Sequence, residues 1–338
     1  LNIGLKITHK MKEKIIFTNG LIDLAQPRLG SKIIFKTDDF FASANRIISP
    51  TNPVFKEGVF DKHGKWMDGW ESRRKRSSGH DFIILKLGKP GSISKVDVDT
   101  SHFNGNQPAA ISIEGTYSNF NKISNFKWQT LLSKKRTKAD SHHYFSIKNK
   151  KVFTHIKLNI FPDGGVARLR LYGTIAKSNK NKNKIINLAS LLDGASIIAC
   201  NNQHFGKAEN ILAPGKAKNM GDGWETRRRR DKGNDWLILN SLSGKEINKI
   251  EISTHHFKGN FPSHCSLQAA YLSSSKNSKK IVSSSKKWKT LLKNSKLSAN
   301  KTHIFKNSLM KKEKINYIKI NIFPDGGISR FRIFGKKI

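Results

Sequence analysis

Apolar and polar residues alternate along many short stretches of this chain. Val96 and Val98 alternate with polar neighbours before Asp99-Thr100, and Ile111 and Ile113 do the same. Ile156, Leu158 and Ile160 run into Pro162-Asp163-Gly164-Gly165, a turn signal. After it Ala167, Leu169 and Leu171 alternate with Arg168, Arg170 and Tyr172. A period of two bounded by Gly, Pro, Asn and Asp is the signature of half-buried strands. Phe82-Ile83-Ile84-Leu85 and Trp236-Leu237-Ile238-Leu239 are short apolar runs of strand length. One or two helical turns are predicted over Trp128 to Lys134 and Trp288 to Asn294. Arg168, Arg170, Arg330 and Arg332, on the polar side of their strands, either line a site or face solvent, and the solvent face is the favoured expectation. Many short strands and little helix predict an all-β chain, built as β-sandwiches of jelly-roll type.

The same pattern occurs twice. Asp68-Gly69-Trp70-Glu71-Ser72-Arg73-Arg74 recurs as Asp222-Gly223-Trp224-Glu225-Thr226-Arg227-Arg228, an offset of 154. His102-Phe103 and Asn106 match His256-Phe257 and Asn260 at that offset. Trp128 and His143 match Trp288 and His303 at 160, and Phe161-Pro162-Asp163-Gly164-Gly165 matches Phe323-Pro324-Asp325-Gly326-Gly327 at 162. A period this long means two copies of one domain rather than a solenoid. The expected division is an N-terminal extension over 1–20, a first repeat over 21–173, a linker over 174–184 and a second repeat over 185–335. The linker is marked by its Lys/Asn/Ser run.

Composition changes this picture in one respect. The 338 residues carry 63 Lys+Arg against 24 Asp+Glu, a formal charge of +39. Such a balance first suggests nucleic acid. The Lys residues, however, are scattered and crowd segments that do not repeat, such as Lys279, Lys280, Lys286 and Lys287. Of 14 Arg, 11 lie in or beside the repeated motifs. Nucleic acid is therefore the weaker reading, and the clustered Arg points to a small anionic ligand. No run reaches the roughly 18–20 apolar residues of a membrane helix. With two Cys, Cys200 and Cys265, and no recognisable secretory signal, a reducing cytoplasmic compartment is expected.

The densest chemistry lies in the Asp-Gly-Trp-Glu-Ser/Thr-Arg-Arg blocks. Guanidinium forks at Arg73, Arg74, Arg227 and Arg228 pair bidentately with a carboxylate. Asp68, Glu71, Asp81 and their counterparts Asp222, Glu225, Asp235 are candidate catalytic carboxylates, Glu71 and Asp81 can also accept from amide or ureido N–H groups, and Trp70 offers an apolar wall. His102 and His256, each at a strand end, suit proton transfer near neutral pH. Asn106 and Asn260 follow on the same loops. The competing reading is a structural charge network at the rim of the sandwich. No His-x-x-x-His, no Cys pair and no carboxylate cluster at metal spacing is present, which leaves a divalent metal open as a cofactor.

These blocks, with the Arg-x-Arg strands that follow each Phe-Pro-Asp-Gly-Gly turn, resemble those of the allantoicase family over about 21–335. The resemblance implies two jelly-roll modules similar to galactose-binding domains. It also implies hydrolysis of the linear C–N bond of allantoate to ureidoglycolate and urea, in purine breakdown. Allantoate has one carboxylate and two ureido arms, so Arg suits one end and Asp, Glu and Asn the other. The resemblance names no base or acid and leaves open which repeat works and whether the chain forms a homo-oligomer. The alternative is a non-catalytic pair of carbohydrate- or anion-binding modules.

Overall fold

In the computed structural model, residues 15–120, 122–177, 181–272, 277–307, 309 and 314–338 are described. Most of the expected N-terminal extension (1–14) and part of the expected linker (178–180) lie outside them. The chain divides into two compact units. One comprises Leu21–Lys180 with Leu191–Gly194, and the other Asn181–Ser190 and Ala195–Ile338 together with the N-terminal Leu1–Gly20. Both are all-β jelly rolls, as the alternation predicted.

Each module is organised by one long strand. In the first it is Asp81–Asp99. Its N-terminal half pairs with Lys32–Lys36 and Phe153–Phe161, and its C-terminal half with His142–Ser146 and Arg168–Ile175. In the second module Asp235–Ser253 pairs in the same way with Ser196–Cys200, Ile315–Phe323, Thr302–Phe305 and Arg330–Lys337. A strand long enough to serve two sheets joins the layers of the sandwich. Its alternate apolar residues fill the space between them: Ile83, Leu85, Val96 and Val98 are fully buried together with Leu158, Ile160, Leu169 and Leu171. The hydrophobic effect over these side chains, about 1.5–3 kcal/mol for each Val, Leu or Ile, holds the layers together.

Two expectations are corrected. Residues Gln129–Arg136 and Lys289–Lys296 are strands, not helical turns. The helical turns lie just before them, at Ile123–Asn125 and at Ser278–Ser284 with Ser285–Lys287. The alternating arginines do not face solvent either: Arg168, Arg170 and Arg330 are buried. Short turns over Ala44–Ile48 and Ala208–Leu212 lead into segments that cover this face. Arg170 donates to the Ser49 and Thr51 carbonyls, and Arg332 to those of Ile211, Ala213 and Gly215.

The repeats also differ in a way their shared motifs hide. The Ala44–Ile48 turn corresponds to Ala208–Leu212, an offset of 164, whereas the Asp68 block is offset by 154. The first module therefore holds ten more residues between these points. They build a small hairpin, Phe60–Asp61 paired with Gly64–Lys65.

The loop carrying His102 and Asn106 is fixed by close approach at glycine. A Cβ on Gly165 would lie 2.0 Å from Phe103 Cε1, and one on Gly69 would lie 2.6 Å from the Val166 carbonyl oxygen. Gly69 serves that contact rather than a left-handed turn. Gly165→Ala is expected to destabilise the first module by about 1–3 kcal/mol, the usual cost of overpacking. A lowered midpoint of urea unfolding at unchanged slope checks it.

Candidate active site

The tryptophan of each motif anchors the site from beneath instead of lining it. Trp70 and Trp224 are completely buried. Their Nε1 atoms donate to the carbonyls of Asp38 (2.7 Å) and Asn202 (2.8 Å). The next residue, Glu71, is in a two-residue strand paired with Gly165-Val166 and bonded through its backbone to Ala42. Glu71 is only half-buried, and Asn106 Nδ2 donates to its Oε1 at 2.8 Å. Burial pushes the Glu71 carboxyl above its ordinary value, and the Asn106 bond offsets only part of that rise. The same pair recurs between Asn260 and Glu225. Of the predicted residues, these are the ones the fold brings together identically in both modules.

The other carboxylates are each paired with a basic side chain. Asp68 accepts from Arg168 Nη2 at 2.7 Å and Asp222 from Arg330 Nη2 at 2.6 Å. Asp81 pairs with Lys75 at 2.9 Å and Asp235 with Arg229 at 2.7 Å. The residue after each Arg-Arg pair thus supplies the countercharge for the buried aspartate, a role the sequence motif alone did not single out. These four aspartates follow the structural network reading.

The two arginines of each motif differ. Arg73 is forked onto Asp38 by Nε at 2.7 Å and Nη2 at 2.6 Å, with its guanidinium 5.2 Å from the Phe40 ring. Burial raises the Asp38 carboxyl, but the N–H groups of Arg73 and Phe40 and the Arg73 charge outweigh it and leave it below its ordinary value. Asp38 was not among the predicted residues. Its counterpart is Asn202, whose Oδ1 accepts the backbone N–H groups of His204 and Arg227. Arg74 and Arg228 are exposed, and among the described residues neither guanidinium is engaged.

His102 and His256 both occupy the left-handed backbone region, at φ 69° and 73°. Their backbone N–H groups donate to Asp140 and Asn300 side chains, each at 2.8 Å. His is among the side chains that tolerate this conformation. Beyond that the two diverge. His256 Nε2 hydrogen-bonds the Ala217 carbonyl at 2.9 Å. The His102 imidazole makes no hydrogen bond among the described residues; the Phe55 ring lies 5.9 Å from it.

A further cluster, absent from the sequence reading, belongs to the first module alone. His142 Nδ1 lies 3.0 Å from Asp97 Oδ2, and its ring stacks on Tyr144 at 5.6 Å. The register sets Glu251, Ser253, Thr302 and Ile304 in the corresponding places. Strand pairing across 45 residues was the signal, and no local motif carries it. Among the described residues, no three His, Cys, Asp or Glu come together as a metal site. No helix there is long and apolar enough to cross a membrane.

The family model of the allantoicase repeat matches residues 22–176 and again 186–338. A probable allantoicase from Pseudomonas fluorescens is 47% identical over 329 residues, covering 96% of this chain and 99% of its own. One from Photobacterium profundum is 45% identical over 331 residues, with the same coverage. Among solved structures, the allantoicase of Saccharomyces cerevisiae superposes with a TM-score of 0.79 at 33% identity over 94% of both chains. The matched repeats span both modules and with them both Glu–Asn pairs: the chain belongs to the allantoicase family.

Proposed function

We propose that the chain hydrolyses allantoate to ureidoglycolate and urea. The observation that carries this is the pair of a burial-raised Glu71 carboxyl and its Asn106 donor; three residues along the same motif, Arg74 is exposed and unengaged among the described residues. Asn106 and Glu71 offer the donor and acceptor that a ureido arm requires. Arg74 offers the fork that a carboxylate requires. In the reaction, water oxygen bonds to the central carbon of allantoate, and the bond from that carbon to one ureido nitrogen breaks. The leaving nitrogen takes one proton and the water gives one up, so the step needs a group for each transfer. Glu71, with its raised carboxyl, suits donation to the leaving nitrogen.

Urea release from allantoate tests the proposal. No urea above background, with and without added divalent metal, overturns it in favour of a non-catalytic binding module. Arg74→Ala is expected to raise KM about tenfold or more, since losing one charge-assisted contact costs about 1.5–3 kcal/mol. An unchanged KM removes Arg74 from the carboxylate site.

We place the enzyme in the cytoplasm. In support, both cysteines are buried and unpaired, and burial pushes their thiols up to about 12. Light scattering on the purified chain tests the homo-oligomer left open by the family resemblance. Nucleic acid is the weaker partner, because the Lys-rich segments do not repeat.

A further inference from the structure

The two copies of the site share their Glu–Asn pair, their arginines and a histidine in a strained turn, yet only one copy leaves its histidine available. In the second module Ala217 holds His256 Nε2. Met220, on the same short segment, puts its sulfur 3.8 Å from Asn260 Nδ2. That segment both occupies the imidazole and covers the amide.

Both modules fix this segment alike, Val54 N–H on Asp68 Oδ2 and Lys218 N–H on Asp222 Oδ2, each at 3.0 Å. In the first module the longer chain then turns Phe55 toward His102. The extra hairpin brings His63 against Phe40 at 4.4 Å, and Phe40 in turn packs on Arg73. The ten extra residues therefore place an aromatic ring beside His102 and set His63 against the Phe40 ring that packs on Arg73. No backbone carbonyl occupies the His102 imidazole. Asp140, where the second module has Asn300, accepts the His102 backbone N–H.

We propose that His102 is the proton-transfer partner of Glu71, and that the first module alone carries turnover, with the second-module copy closed by Ala217 and Met220. This rests on the allantoate reading and deepens it. His102 and Asn106 lie on one loop, and Asn106 is bonded to Glu71. In the balanced step, His102 accepts the proton that water loses as its oxygen bonds to the central carbon. Glu71 delivers a proton to the ureido nitrogen as the C–N bond breaks. Proton exchange with solvent resets both groups.

The test compares His102→Gly and His256→Gly in the full-length chain. Glycine adopts positive φ without strain, so each turn keeps its conformation. Urea release from allantoate is measured from pH 5 to 9, with and without added imidazole. The expected result is a loss of about 10²–10⁴-fold in kcat for His102→Gly, the usual worth of general acid–base catalysis. Added imidazole should restore part of it in the His102→Gly chain, and the rescued rate should follow the imidazole base. His256→Gly should stay within about threefold of the parent, a barrier change of about 0.6 kcal/mol. A merely structural His102 would give a loss that imidazole does not rescue, and that result overturns the proposal. Equal losses in both variants, or a loss in His256→Gly alone, also overturn it. No urea from the parent chain instead overturns the allantoate reading itself.

Discussion

Glu71→Gln is expected to lower urea release about 10²–10⁴-fold while leaving the fold at least as stable as the parent at neutral pH. The two halves of this expectation have one physical cause. Burial raises the Glu71 carboxyl above its ordinary value. A group whose folded pKa is raised binds its proton more tightly in the folded chain. Stability linked to it is present at low pH and is lost as pH climbs from the unfolded value through the folded one. Ionised Glu71 therefore works against folding near neutrality. Glutamine has no proton to lose, and its amide oxygen still accepts from Asn106, so the variant escapes that cost. It also has nothing to give the leaving nitrogen. Thermal unfolding and urea release on the same preparation check both parts. A variant that loses activity together with several degrees of melting temperature would make Glu71 a structural residue. Glu225→Gln should leave turnover within about threefold, or about 0.6 kcal/mol of barrier.

Asp68→Ala is expected to destabilise the first module by about 3–5 kcal/mol, the cost of leaving a buried charge without its partner. The Arg168 side chain is 1% exposed. It spends its donors on Asp68 Oδ2 and on the carbonyls of Asp68, Thr51 and Ala167. Without the carboxylate the guanidinium stays buried beside neutral carbonyls, and Val54 N–H loses its acceptor as well. Asp68→Asn keeps an oxygen acceptor but removes the charge, so it should fall between parent and alanine. Urea unfolding at constant slope measures the series. If Asp68→Ala unfolds like the parent but loses activity, Asp68 belongs to the chemistry rather than to the scaffold.

The repeats, the all-β class and the Glu and Asn that pair in each module were legible because they depend on local pattern or on motifs written twice. What failed depended on distant parts of the chain. Leu131-Leu132 and Leu291-Leu292 look helical because two apolar residues are adjacent. Their strands carry register irregularities against Ala110–Thr116 and His264–Ala270, and a bulge breaks the simple alternation. The arginine rows looked solvent-facing because polar side chains on a strand indicate which face they lie on. They do not indicate what covers that face. The difference between His102 and His256 was hidden for a similar reason. It is made by ten residues inserted well before the histidine, after a block that shares only Phe41/Phe205, Ala44/Ala208, Ile47/Ile211 and Pro50/Pro214 over its ten positions.

The pairing of Ile16–Phe17 with Ala199 and Cys200 has a consequence in time. At about 5–20 residues per second of synthesis, the strand made first must wait roughly ten to forty seconds for its partner to emerge. Until then it is an unpaired β-segment of the nascent chain. A second module produced alone would leave one edge of Ser196–Cys200 bare, a template for pairing with neighbouring chains. A gene cut between the repeats would separate the second module from the Ile16–Phe17 strand that pairs with it.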